Sequence, residues 1–256
     1  MRKLTTITLA LVFAYASLTP MSAAVAKPAD VAAAVAATSN RSEDNVKLDE
    51  GRKPAEVLSF LGLKTGMQAI DMFGGNRYWA EIMAPAVGPK GHVTVWEPMQ
   101  FYGKEAAEKF AAFQAKVPNT HLVVTPFEAL ALPENSYDFM MLNLNYHDVY
   151  WESAKYGVVK MEPDAFVKTV YASMRPGGIV GVIDHVGNPG DTRETVEKYH
   201  RIDPAVVKAD FEKAGFKLEA ESDILKNPAD DHTLLVFDPK IRGKTDRFVY
   251  KFRKPK

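Results

Sequence analysis

Gln68-Ala69-Ile70-Asp71-Met72-Phe73-Gly74-Gly75-Asn76-Arg77-Tyr78-Trp79 is the stretch whose reading decides the fold of this 256-residue chain. A short apolar run ends in the acid Asp71. Two glycines follow, and a helix-like segment runs from Tyr78 to Val87. The order is strand, tight turn, helix N-terminus. Gly74 and Gly75 let the backbone approach a ligand closely, and the helix end offers N–H groups with no partner of their own. Gly91 to Trp96 reads as a second strand ending in Glu97, an acid placed to accept hydrogen bonds from a ribose diol, as in nucleotide-binding βαβ units. An ordinary strand-to-helix turn with an exposed acid fits the same residues.

Outward from the pivot, the N-terminus is expected to be an address rather than part of the fold. Arg2 and Lys3 precede an apolar stretch from Leu4 to Leu18, and Ala24-Val25-Ala26 gives a small-residue cleavage pattern. The apolar stretch is short for a membrane span. Residues 1–26 read as a signal peptide cut before Lys27, with a retained N-terminal anchor as the alternative. The expected location is periplasmic or secreted, without stable membrane insertion once the signal is gone. There is no cysteine, which removes disulfides, thiolate metal ligands and a lipoprotein-type anchor. Of the 32 basic and 32 acidic residues, two basic and no acidic ones fall in the signal, so the rest carries a net charge of −2. That balance gives no reason to expect nucleic acid as a partner. A small-molecule substrate is the expected partner, and the oligomeric state is not legible.

Residues 27–49 form an alanine-rich and charged extension, expected as a frayed helix or tether followed by an edge cover. Residues 50–256 read as one domain. Helical spacing covers Pro54–Leu61, Lys104–Lys116, Pro163–Met174 and Asp203–Ala214. Strands are expected at His121–Thr125, Ser136–Asn143, Ile179–Ile183, Phe216–Ile224 and Arg247–Phe252, with Leu234–Phe237 as a possible extra strand or part of a long insertion. The continuous apolar run Phe139-Met140-Met141-Leu142 marks a strand buried on both faces. Alternating strands and helices imply an α/β fold with helices on both faces of a parallel sheet.

On these residues the chain resembles the class I S-adenosylmethionine-dependent methyltransferases. The resemblance rests on the glycine turn after Asp71, the acid Glu97, Leu132-Pro133-Glu134-Asn135-Ser136-Tyr137-Asp138, and Met174-Arg175-Pro176-Gly177-Gly178. More narrowly it resembles an exported bacterial branch of that family, through Asp184-His185, His200-Arg201-Ile202-Asp203, residues 227–232 and Thr245-Asp246-Arg247-Phe248. The resemblance implies a doubly wound, Rossmann-like sheet of seven strands, six parallel and one antiparallel. It implies S-adenosyl-L-methionine as cofactor. Asp71, Gly74 and Gly75 then lie beside its methionine part, Glu97 at its ribose, the Phe127 backbone along its adenine, and Asn143 beside the point of methyl transfer. Phe73 and Arg77 stand where the family has glycines, and Phe73 is expected to crowd the turn.

Asn143-Leu144-Asn145-Tyr146-His147-Asp148-Val149-Tyr150-Trp151 follows the fourth strand, and Asp184-His185 ends the fifth. Methyl transfer needs an aligned nucleophile and often a base, and histidine titrates near neutral pH. His147 or His185 is the candidate base, with Asp148 or Asp184 to orient it. Tyr146, Tyr150 and Trp151 are candidates for an aromatic acceptor wall, and His200-Arg201 for an anionic substrate group. Polar lid residues satisfying loop backbone are the plainer reading. Asp230, Asp231 and His232 are expected near the same mouth. His147, Asp148, Asp184, His185 and His200 include metal-donor types, but contiguous Asp-His on one strand is a poor ligand pair, so no metal is assigned. The expected function is methyl transfer to a small or lipid-like acceptor in the cell envelope. The alternatives are an inactive small-ligand-binding protein of this fold and, weaker, a metal-dependent hydrolase.

Overall fold

The computed structural model describes residues 26–256. The signal-peptide reading therefore lies outside the described residues, Ala26 excepted. Four short helices lead in: α1 (Val31–Ala36), α2 (Glu43–Val46), α3 (Asp49–Arg52) and α4 (Pro54–Leu61). Then come β1 (Gln68–Met72), α5 (Tyr78–Val87), β2 (His92–Pro98), α6 (Lys104–Lys116), β3 (Thr120–Thr125) and β4 (Tyr137–Asn143). The second half holds α7 (Pro163–Ser173), β5 (Met174–His185), α8 (Thr192–Tyr199), α9 (Pro204–Lys213), β6 (Lys217–Ser222) and β7 (Arg247–Arg253).

The sheet has seven strands in the order β3-β2-β1-β4-β5-β7-β6. β1 to β5 pair in parallel, and β7 runs antiparallel between β5 and β6. Successive side chains of a strand point to opposite faces. Ala69 accordingly joins the core under α4, α5 and α6, while Ile70 and Met72 join the core under α7 and α9. The apolar run of β4 divides the same way, Phe139 and Met141 to the first core, Met140 and Leu142 to the second. Strand order reverses at β1, with β2 on one side and β4 on the other, and ligands of such sheets gather at that point, beyond the carboxyl ends.

The structure corrects three local expectations. The alanine-rich segment is docked rather than frayed: Asp30 caps α1 by accepting from the Ala33 N–H, and Val31 and Ala34 are buried against α5. The Arg41–Asp49 stretch is not simply an exposed edge, because Arg41 is buried and grips Asp49 with two hydrogen bonds of 2.7 Å. Leu234–Phe237 is part of the long β6–β7 link, the second of its two alternatives, while α8 lies where no element was expected. Its single buried residue, Val196, leaves almost no periodic apolar signal to read.

Candidate active site

A cavity of about 530 Å³ opens at the reversal point, beyond the ends of β1, β4 and β5. On the β1 side the turn keeps the left-handed geometry its sequence disguises. Phe73 and Arg77 have φ of 55° and 64°, a region that favours glycine. Gly74 and Gly75 are needed for a different reason. A Cβ on Gly74 would sit 2.7 Å from the Asp71 carboxyl carbon, and one on Gly75 would sit 2.6 Å from that of Glu97. The glycines make room for the two acids.

Asp71 accepts from the Ala80 N–H at 3.2 Å, and Glu97 Oε2 accepts from the Gly75 N–H at 2.8 Å. Neither acid has a cationic partner within ion-pair distance among the described residues. Burial pushes the Asp71 carboxyl up to about 8, and the nearby Glu97 adds to it. Burial likewise pushes Glu97 up to about 7. Glu97 Oε1 accepts no hydrogen bond from the described residues, so one oxygen remains for a ligand.

Phe73 lines the cavity and packs edge-on against Trp96 and Phe127, with ring centroids 5.0 and 5.3 Å away. Glu97, Gly75 and Phe127 do not line it, so the Phe73 ring is the wall on that side. The Phe127 N–H, expected along an adenine, donates instead to Gln100 Oε1 at 3.0 Å, and the Phe127 ring is core. Two further residues line the cavity: Trp79, which the sequence offered either as core or as a cofactor-stacking ring, and Arg52, to which it gave no role. Trp79 has a buried indole Nε1 without a partner among the described residues. The Arg52 guanidinium stacks 4.2 Å from the Tyr78 ring centroid and forms no ion pair within the described residues. Arg52 lies just past the 27–49 extension, and the docking of α3 brings it inward.

On the β4 side, Leu144 takes φ 60° and turns the chain into a 3-10 turn over Tyr146–Tyr150. That turn buries His147. Its backbone N–H donates to Asp184 Oδ2 at 2.9 Å, and its Nδ1 lies 2.8 Å from Asp184 Oδ1. Burial opposes charge on His147, but the carboxylates of Asp184 and Asp148 outweigh it and hold the imidazole up to about 9. Asn145 Nδ2 donates to Asp148 Oδ2 at 3.0 Å. His185 Nδ1 lies 2.7 Å from Thr245 Oγ1, and burial holds this ring down to about 3, reinforced by the His147 charge. At neutral pH His147 is an imidazolium and His185 a neutral imidazole.

His147, Asp148, His185, Asn143, Trp151 and His200 all line the cavity, as their positions in the sequence suggested. Three other expectations are corrected. Tyr146 and Tyr150 form no acceptor wall; both hydroxyls donate to Asp210, at 2.7 and 2.6 Å, and Tyr146 is core. Arg201 is fully buried, bound to Asp230, Leu234 O and Val186 O, and cannot hold a substrate anion. Asp230 is taken by that pair, and His232 bonds Asp246 at 3.0 Å. The link between β6 and β7 does reach the mouth, but through Val236 and Phe237.

This seven-stranded arrangement, with the antiparallel strand next to last in spatial order, is the fold of the class I S-adenosylmethionine-dependent methyltransferases. Solved structures share it. The S-adenosylmethionine-dependent methyltransferase of Aquifex aeolicus matches with a TM-score of 0.57 and 18% identity, over 88% of this chain and 98% of that one. That of Mesorhizobium loti matches at 0.55 and 14%, over 81% and 100%. Haemonchus contortus phosphoethanolamine N-methyltransferase 2, solved in complex with S-adenosyl-L-methionine, matches at 0.56 and 15%, over 81% and 53%. Among curated proteins, the demethylmenaquinone methyltransferases of Listeria monocytogenes serotype 4a and Listeria welshimeri are each 25% identical over 131 residues, 50% of this chain. The chain thus spans about half the length of the curated relatives it matches, 49%. No family model matches it.

Proposed function

We propose that the chain transfers a methyl group from S-adenosyl-L-methionine to a small or lipid-like acceptor in the bacterial cell envelope. One observation carries the reading: a single cavity joins the glycine turn of β1 to the polar cluster after β4 and β5.

The residues present fit the cofactor. Glu97 Oε1 has no other partner among the described residues, and it reaches a ribose hydroxyl once the Phe73 ring moves aside. Asp71, Asn143 and the Gly74–Gly75 turn flank the methionine end. The Arg52 guanidinium and the unpartnered Trp79 N–H supply donors for a carboxylate. Bound cofactor supplies an electrophilic methyl group on a sulfonium. The chain's own task is to hold an acceptor in line, exclude water and take up a proton. Trp151, Tyr156 and Phe237 line the acceptor side. With Nδ1–H of His185 donating to Thr245, Nε2 accepts a hydrogen bond from the acceptor hydroxyl and passes its proton on to water, since a ring held down to about 3 does not keep it. His147, already protonated, stabilises negative charge on an acceptor oxygen. The aromatic lining suits the acceptor in the name of the curated relatives, a demethylated menaquinone.

The Phe73 ring, seated on Trp96 and Phe127, favours a second reading, a ligand-binding protein of this fold without transfer. Calorimetric titration with S-adenosylmethionine, alongside transfer of labelled methyl to quinol and catechol acceptors, separates the two. Binding with transfer supports the enzyme. Absence of heat and of thermal protection at millimolar cofactor removes it.

Export is part of the proposal. The chain is docked from Lys27 onward: Lys27 O accepts from the Thr65 N–H at 3.0 Å, and Pro28 bridges Lys64. N-terminal sequencing of protein recovered from the envelope fraction is expected to begin at Lys27.

A further inference from the structure

We propose that His147, Asp148 and His200 hold a divalent transition-metal ion of the zinc class, with a coordination position open to the cavity. The inference does not depend on methyl transfer. One donor atom from each residue falls within a set whose members all lie within 4.8 Å of one another. Asp148 Oδ1 is 3.5 Å from His147 Nε2 and 3.9 Å from His200 Nδ1. Ligand atoms about 2.0–2.2 Å from a tetrahedral zinc ion stand about 3.4 Å apart, so only a small closure separates the residues from a coordination shell.

Each donor is already aimed. Asp184 sits 2.8 Å from His147 Nδ1, which fixes a proton there and turns Nε2 toward Asp148, so an incoming ion displaces only the Nε2 proton. A carboxylate behind a ligating histidine is the usual outer support of a metal site. Asn145 occupies Asp148 Oδ2 and leaves Oδ1 facing the histidines. His200 ends α8 at φ 50°, a left-handed conformation costly for histidine, and its ring is held between Trp151 and Phe237, with centroids 5.3 and 5.2 Å away.

Two imidazoles and one carboxylate suit zinc, cobalt or ferrous iron, whereas calcium and magnesium prefer oxygen ligands throughout. All three residues line the cavity, so a water or a hydroxyl oxygen of a small molecule can complete the shell. Strand geometry argued against neighbouring ligands, but His147 and Asp148 lie in a 3-10 turn, which lets adjacent side chains converge.

The test uses full-length protein stripped with a chelator and dialysed, then titrated with cobalt(II) chloride by visible absorption and with zinc chloride by calorimetry. A His92→Gln background removes the facing His92–His121 pair, another place where two imidazoles meet. The expected result is one cobalt per chain, with the absorption of a low-symmetry site, displaced by zinc, and a raised Tm in its presence. His200→Ala, at a half-buried position, is expected to keep the circular dichroism spectrum and lose at least about tenfold in affinity. The positioning variant Asp184→Asn is expected to lose about 10–100-fold. The proposal is overturned if no ion binds stoichiometrically, if binding disappears in the His92→Gln background, or if folded His200→Ala and Asp148→Asn bind as tightly as wild type.

Discussion

The Glu97 carboxylate lies directly against the Gly75 backbone: Oε2 receives the Gly75 N–H at 2.8 Å, and a Cβ on that residue would meet the carboxyl carbon at 2.6 Å. Gly75 has no left-handed φ, so alanine is tolerated by the backbone and excluded only by the acid. Gly75→Ala is therefore expected to push Glu97 off its bond. A hydrogen bond to a charged acceptor is worth about 1.5–3 kcal/mol, and partial adjustment of the flexible carboxylate keeps the stability loss near the lower end. Cofactor affinity is expected to fall by at least tenfold, because the ribose acid is displaced. Calorimetry and denaturant midpoints measure the two separately; a variant that binds as well as wild type refutes the role of Glu97.

Phe73 gives the opposite prediction. Its left-handed φ costs about 1–3 kcal/mol for a residue other than glycine. Its two edge-on aromatic contacts return about 0.5–1.5 kcal/mol each beyond the area they bury. Phe73→Gly is expected to lose about 1–3 kcal/mol of stability, since strain relief offsets the edge-on contacts but not the apolar area and backbone order lost with the ring. It is expected to tighten S-adenosylmethionine binding by opening the side toward Glu97. Unchanged or weaker binding would mean that the ring does not obstruct the cofactor.

These two sites show what the sequence could and could not disclose. The glycine turn and both acids were legible, because a strand, a tight turn and a helix leave strong local patterns, whereas the seven-stranded sheet with one antiparallel strand was implied by the family resemblance. The left-handed geometry at Phe73 and Arg77 was legible only as a departure. Side-chain destinations were not. Tyr146 and Tyr150 share one loop with His147, yet a 3-10 turn sends the tyrosines to Asp210 and the histidine to Asp184. Arg52 and Phe237 reach the cavity from α3 and the β6–β7 link, and no local periodicity encodes that docking.

The buried acids set a pH dependence. Asp71 is held up to about 8 in the folded chain and ionises near 3.9 when unfolded, so the folded state binds the extra proton between those values. That contribution is complete below about pH 4 and is lost as pH rises through 8. Glu97 has the same sign, up to about 7, and His147, held up to about 9, also loses stability as pH rises. His185, held down to about 3, opposes this only below about 6.5. Stability is expected to fall between pH 6.5 and 8.5, and Asp71→Asn to flatten the fall. Denaturant midpoints across that range for both proteins check it; parallel curves would show that Asp71 is ionised in the folded state.

Arg201 provides the last prediction, because its sequence position beside His200 suggested substrate binding and its burial denies it. The guanidinium donates to Leu234 O and Val186 O at 3.0 Å and pairs with Asp230 at 2.9 Å. Lysine cannot reproduce three such directions, and alanine leaves Asp230 buried and unpaired, at a cost of about 3–5 kcal/mol. Arg201→Ala is expected to lower the denaturant midpoint sharply, and Arg201→Lys to recover only part of it. The bond to Leu234 also anchors the segment carrying Val236 and Phe237 to the cavity mouth, so the effect on function is indirect. Phe237→Ala separates the two roles: its side chain is 53% exposed, and stability is expected to stay within about 0.5 kcal/mol of wild type. KM for an aromatic acceptor is expected to rise with kcat held. If Arg201→Ala instead spares stability and raises KM alone, the guanidinium reaches the acceptor and the buried-anchor reading fails.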